Sequence, residues 1–343
     1  MMHVPTEPQE SGSTSPNLGH RRFAKFVLRR GILVCAIVFF ILAVRRAVHE
    51  LQRTEISIHW ESIHWTYIIL SVLAGMLALI PPWIAWHAIL RDFGQNVLWS
   101  DSLVAYLMGH LGKYVPGKAM AVLLRVGELH RHKVPMGQGV LSVFIETLTG
   151  FATGGIMGAL LLQWIDAPSW LKLSALACIP IAIVTLLPHP FRWILRPLVQ
   201  TRVGRNVATV VHTIDARMMS RTVAWAAVGW MLQGFALWFV LQSLTDLHPG
   251  FLSGYSDLYV LAVCIASMGL GGLAGFLSML PGGALARELA SIGILISILS
   301  QPIALIATVV VRLTSIIAEL MMIVLSRSIR ARFNRGPIET GLG

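Results

Sequence analysis

Two stretches of this sequence set a proline–glycine pair and charged residues into otherwise apolar surroundings. The first, GHLGKYVPGKAMAVLLRVGEL, has Pro116 and Gly117 at its centre with Lys113, Tyr114 and Lys118 alongside. The second, FLSMLPGGALARELASIGIL, has Pro281, Gly282 and Gly283 followed by Arg287 and Glu288. Proline removes an amide donor and glycine opens backbone shapes closed to other residues, so each pair breaks a helix. The helix that restarts after a break begins with free N–H groups and the positive end of its dipole, a natural anion site. With Lys113 and Lys118 beside the first break, the ligand chemistry expected there is a phosphate headgroup. The blander alternative is a kinked helix whose lysines reach out to water.

Other charges lie inside apolar runs, where an ionisable group costs about 2.5–3.5 kcal/mol on insertion scales. Glu146 sits in VFIETLTGF, and Arg312 and Glu319 lie seven residues apart in the last apolar run, hence on one helical face. A charge network of Arg125, Glu146, Arg287, Glu288, Arg312 and Glu319 is expected, with Glu146 paired, for example, to Arg312 or Lys118. Some of these charges would then only fix helix packing. Arg125 and Glu128 read as lying nearer the interface, in solvated roles. Catalytic signatures are missing: HWESIH, with His59, Glu61 and His64, lacks the order of a zinc-protease helix, and Ser278 has no nucleophile-elbow frame. Nor does the sequence contain a Walker loop, so no enzyme activity, cofactor or metal is expected. Cys35, Cys178 and Cys264 all fall in apolar runs without metal-ligand spacing and read as packing residues.

What positions these residues is a set of membrane helices. Of 343 residues, 55% are hydrophobic and 13% charged, with a mean hydropathy of +0.71, whereas soluble domains carry about 25% charge. Full spans are expected near 27–44, 66–90, 139–163, 170–187, 222–243 and 302–326, each near the roughly 20 apolar residues a bilayer requires. The net charge of +11 does not indicate nucleic acid, because the arginines lie between apolar runs. Arg192, Arg196, Arg202, Arg205, Arg217 and Arg221 crowd one loop, and Arg327, Arg330, Arg332 and Arg335 follow the last span. The positive-inside bias therefore places both termini and the 188–221 loop in the cytoplasm, facing anionic lipid headgroups. FRWILRPLV within that loop suits an interfacial helix or a plain topology-fixing loop. Region 101–127 must then leave and return on the cytoplasmic side as a re-entrant hairpin. Region 258–299 must do the same from the opposite side, to a depth the sequence leaves open. Interrupted helices entering from opposite sides point to an inverted repeat with its site near the midplane. The expected fold is an all-α polytopic bundle with about six full spans and two re-entrant, Pro-Gly-broken hairpins. RRFAKFVLRR before the first apolar run reads as the flank of a retained span, not a cleaved signal.

GKYVPGK, Glu146, LPGG with Arg287–Glu288, and Arg312 together resemble the flippase-like transmembrane domain, the membrane region of lysylphosphatidylglycerol synthase. The resemblance covers roughly residues 25–330, with 1–24 as a polar, disordered tail and 331–343 as a short basic tail. It implies a helical bundle that moves a phospholipid or polyprenyl-linked lipid between leaflets of the plasma (inner) membrane. By position, Lys113, Pro116, Gly117 and Lys118 would form its first motif, and Pro281, Gly282, Gly283 and Glu288 its second. Thr147 follows Glu146 where family members often carry arginine. The soluble aminoacyl-transferring domain is expected to be absent, so synthase activity is not carried over. The competing function is a non-transporting subunit that docks or presents lipid to a partner synthase or glycosyltransferase. Either reading admits a homo-oligomer.

Overall fold

The hydropathy pattern becomes thirteen helices in a computed structural model that describes residues 63–114, 119–199, 205–245, 252–280 and 285–333, together with Gly250 and Gly283. In order they are α1 (Trp65–Ala78), α2 (Ile80–Asp92), α3 (Trp99–Gly112), α4 (Ala119–Leu129), α5 (Met136–Leu162), α6 (Ser169–Ala177) and α7 (Ile179–Leu186). There follow α8 (Pro188–Val199), α9 (Arg205–Ala208), α10 (Ala216–Ser243), α11 (Asp257–Leu277), α12 (Ala286–Leu295) and α13 (Gln301–Phe333). No strand occurs among the described residues. The expected span at 27–44 and both tails lie outside them, as do Pro116, Gly117, Lys118, Pro281 and Gly282, so the two breaks are seen through their flanks.

Six helical stretches are long and apolar enough to cross a membrane. Five match the expected spans 66–90, 139–163, 170–187, 222–243 and 302–326, and the sixth is α11. Two of them are jointed by proline: α1 gives way to α2 at Leu79, just before Pro81 and Pro82, and α6 to α7 at Cys178, before Pro180. Proline cannot donate to the preceding turn, so each joint is a local consequence of sequence. Capping is equally local, with the Asp215 carboxylate accepting from the Met218 amide at the start of α10 and Ser256 from Tyr259 at the start of α11.

Asp92, at the end of α2, pairs with Arg221 near the start of α10, and the His64 amide donates to the Ser243 carbonyl at the other end, so these elements are antiparallel. Arg192, Arg217, Arg221, Arg327, Arg330 and Arg332 gather at one end of the bundle, hereafter the basic end. Helix α13 runs parallel to α1, with Ser71 Oγ 3.0 Å from Thr314 Oγ1 and Gly75 packed on Ala318.

Both expected hairpins form. Helices α3 and α4, of 14 and 11 residues, are too short to span and fold against each other from the basic end. Their closeness depends on Gly112, where a Cβ would lie 2.5 Å from the Ala121 Cα. Helix α11 enters from the opposite end, antiparallel to α5. The Tyr259 hydroxyl accepts from the Asp166 amide beyond the end of α5, and Phe276 stacks on Phe151 at 4.4 Å. Phe151 is 15 residues from Met136 and 11 from Leu162, so α11 turns back at mid-height despite its spanning length. That settles the depth of the second hairpin. The turn carries Met279, Gly283 and Leu285 at positive φ, two of them non-glycine residues in a costly region. Gly283 fits because its Cα faces Gly275, where an added Cβ would meet backbone at 2.8 Å.

Lipid provides no hydrophobic drive between helices, so close backbone packing must hold them together. The α5–α11 seam shows this, with Gly154, Gly155 and Gly158 facing Gly269, Leu270 and Leu273. Trp230 closes over Gly154 and Gly272 while donating to the Gly150 carbonyl at 2.7 Å.

Candidate functional site

The site is organised by α13. Arg312 and Glu319 are separated by seven residues, about 10.5 Å along a helix rising 1.5 Å per residue. Each holds a different hairpin. Lys113, just past the end of α3, forms an ion pair with Glu319 Oε1, and the Tyr114 hydroxyl donates to Glu319 Oε2 at 2.9 Å. Two turns away, Arg312 Nη1 lies 3.5 Å from Glu288 Oε1 in the first turn of α12. The two interrupted elements therefore meet on one helix at mid-height, having entered from opposite ends.

Between these attachments lies Arg287. It is half-buried and makes no hydrogen bond or ion pair among the described residues, yet it faces Arg312, Glu288, Tyr114 and Glu319 closely enough for electrostatic contact. Lys113 likewise feels the charges of Arg312 and Arg287. Three cations thus face two carboxylates, an arrangement that favours an added anion. Among the described residues no side chain caps the start of α12 at Leu285, and Glu288 in the first turn offsets part of the dipole.

A separate group lies inside the first hairpin. Arg125 Nη1 bonds Glu146 Oε2 at 2.6 Å, and Tyr106 OH donates to Glu146 Oε1 at 3.4 Å. The guanidinium lies 4.2 Å from the Tyr106 ring centroid and 5.3 Å from that of Trp86. This corrects two expectations. Arg125 belongs to the buried charge network and does not have the solvated role, because α4 turns its 125 position inward against Gly109. Glu146 pairs with Arg125, not Arg312, which instead faces Glu288 of the second hairpin. A charge-compensated buried pair of this kind holds helices in register.

Glu128 is also more than a solvated end group, since its carboxylate accepts from Arg330 at 2.6 Å and from Arg131 at 3.2 Å. Arg330 also lies 3.2 Å from buried Asp101, which has His132 at 3.5 Å. A clasp of charges thus ties the base of the first hairpin to the end of α13. Helix α8 buries Phe191 and Leu195 and exposes Trp193, as suits an interfacial helix, but Arg192 turns inward to the Ile214 carbonyl at 2.6 and 2.8 Å.

Sequence reasoning missed His110 and Tyr106. His110 Nδ1 is 3.6 Å from Glu319 Oε1, and its ring lies 5.2 Å from that of Tyr106. The signal was present: residues 106, 110 and 113 recur at four and three, which puts Tyr106, His110 and Lys113 on one face of α3.

This geometry coincides with a family assignment. Residues 31–322 match the family described as the lysylphosphatidylglycerol synthase TM region. The chain belongs to that family. The match runs through both hairpins and through Glu319, and leaves out the tail from residue 323 onward. No curated protein matches the chain. As a member of this family it is a multi-pass membrane protein, in keeping with its six apolar helices.

Proposed function

We propose that this protein is a flippase-like lipid transporter that passes a phosphate-bearing headgroup, of a phospholipid or a polyprenyl-linked lipid, between leaflets. The observation that carries the reading is Arg287, a cation without an ion-pair partner among the described residues, held at mid-height where opposed hairpins meet. An intramembrane charge is costly unless compensated, and a phosphate supplies compensation while being moved. Broken helices converging on a midplane site are an architecture that many alternating-access transporters use. Lys113, already engaged by Glu319, would give the headgroup a second cation once that pair opens.

In this reading the protein lies in the plasma membrane with its basic end in the cytoplasm. A leaflet assay in proteoliposomes with fluorescent phosphatidylglycerol tests the transport. Lys113→Ala/Arg287→Ala should slow lipid exchange at least tenfold, while Arg131→Ala, an exposed change away from the tips, should leave it unaltered. Equal exchange by wild type and the double variant would remove the proposed site. Absence of exchange in the wild type, with co-purification of a synthase or glycosyltransferase, would favour the lipid-presenting subunit instead.

A further inference from the structure

The ring of His110 has neither nitrogen hydrogen-bonded among the described residues, and both nitrogens are buried. Leaving buried polar atoms unpaired costs about 1–3 kcal/mol each, so such a ring at mid-height calls for a purpose. Its Nδ1 points at Glu319 Oε1, 3.6 Å away, just beyond hydrogen-bond reach. That oxygen is the one Lys113 occupies, while Tyr114 holds the other. His110 and Lys113 are thus rival donors for a single carboxylate oxygen.

The surroundings fit one proton. From α13 the ring faces Glu319, from α4 Arg125, from its own helix Tyr106, and from just past the end of that helix Lys113. Arg125 is already compensated by Glu146 of α5, so it neither competes for Glu319 nor leaves a net negative charge beside the ring. Imidazole is the side chain whose charge changes near neutral pH.

We propose that His110 is a proton switch coupling headgroup binding to proton uptake, an inference that rests on the transport reading above. The Nδ1 lone pair takes a proton that hydronium delivers from bulk solvent, the O–H bond breaking to leave water. The resulting N–H closes on Glu319 Oε1 and weakens the hydrogen bond from Lys113 to that oxygen. The Lys113 ammonium is freed to join Arg287 on an incoming phosphate, and no covalent bond other than N–H is made. Loss of the proton restores the Lys113–Glu319 pair and expels the anion. Proton and headgroup therefore bind together, and affinity rises as pH falls.

The test is calorimetric titration of the purified full chain with dioctanoyl phosphatidylglycerol, in buffers of differing ionisation enthalpy at pH 6.5 and 7.5. Wild type should take up as much as about one proton per lipid and tighten by up to about tenfold per pH unit. His110→Gln should bind the same lipid with no linked proton and a flat pH profile. Binding by wild type without proton uptake, or equal uptake by the variant, would overturn the switch and leave the transport reading standing. No binding at all would overturn both. Should His110→Gln fail to fold, His110→Asn replaces it. Independently, the ring-nitrogen NMR signals of histidine-labelled wild type must move toward the imidazolium position on lipid addition, and a static spectrum counts against the switch.

Discussion

Glu146 and Arg125 show how much one residue's setting decides. Their carboxylate and guanidinium are buried, bonded at 2.6 Å and flanked by Tyr106 and Trp86. Glu146→Gln leaves Arg125 with an uncompensated charge, so it should cost about 3–5 kcal/mol and lower the melting temperature in detergent. A paired Arg125→Met/Glu146→Leu change should recover most of that loss, and failure to recover it would mean the pair does more than hold helices. The sequence exposed Glu146, Arg287, Arg312 and Glu319 as candidates because a charge inside an apolar run is conspicuous. It also named Lys113, Arg125 and Glu288, but not which charge each would meet. Arg125 lies only a few residues from a loop, so its depth depends on how far α4 dips, and nothing local encodes that. His110 was overlooked because histidine in an apolar helix is unremarkable until a carboxylate from residue 319 is placed against it.

The elements themselves were easier to read. The joints before Pro81 and Pro180, the short arms of the first hairpin and the long α13 all follow from local rules of proline and length. The depth of the second hairpin does not, because α11 is long enough to cross the membrane, and what stops it is the Phe151–Phe276 stack and the glycine turn at 283. The α5–α11 seam tolerates no side chain at its tightest point, since a Cβ on Gly269 would sit 2.4 Å from the Gly154 carbonyl oxygen. Gly269→Leu should force the helices apart, lower thermal stability by about 1–3 kcal/mol and slow lipid exchange. Full stability in that variant would mean that α11 is not seated against α5. At the basic end, Arg330→Ala removes the partner shared by Asp101 and Glu128. It should raise protease sensitivity of the 130–135 turn, read by limited digestion, more than Arg332→Ala does.

Across the molecule, the two ends differ in charge, and that asymmetry carries the expected orientation. With Cys35, Cys178 and Cys264 replaced by serine, a cysteine at exposed Tyr255 should react with an impermeant maleimide in intact cells. One at Ser328 should react only after permeabilisation, and the reverse result would invert the assigned sidedness. Helix α6–α7 is only 6% buried, against 33–56% for the five other spans, so it hangs on the bundle by its contact with α5 and leaves most of its surface to lipid. The mechanical burden falls instead on α13. Its two anchor points, Arg312 and Glu319, grip opposed hairpins along a single rod, so they share an azimuth as well as a spacing. One alanine inserted after Ser315 would swing Glu319 through about 100° while leaving Arg312 in place. The first hairpin should lose its grip and the second keep it, whereas four inserted alanines bring the angle most of the way back and stretch the spacing by about 6 Å. If lipid movement depends on the two hairpins tilting as one lever, the single insertion should abolish it and the fourfold insertion should restore part.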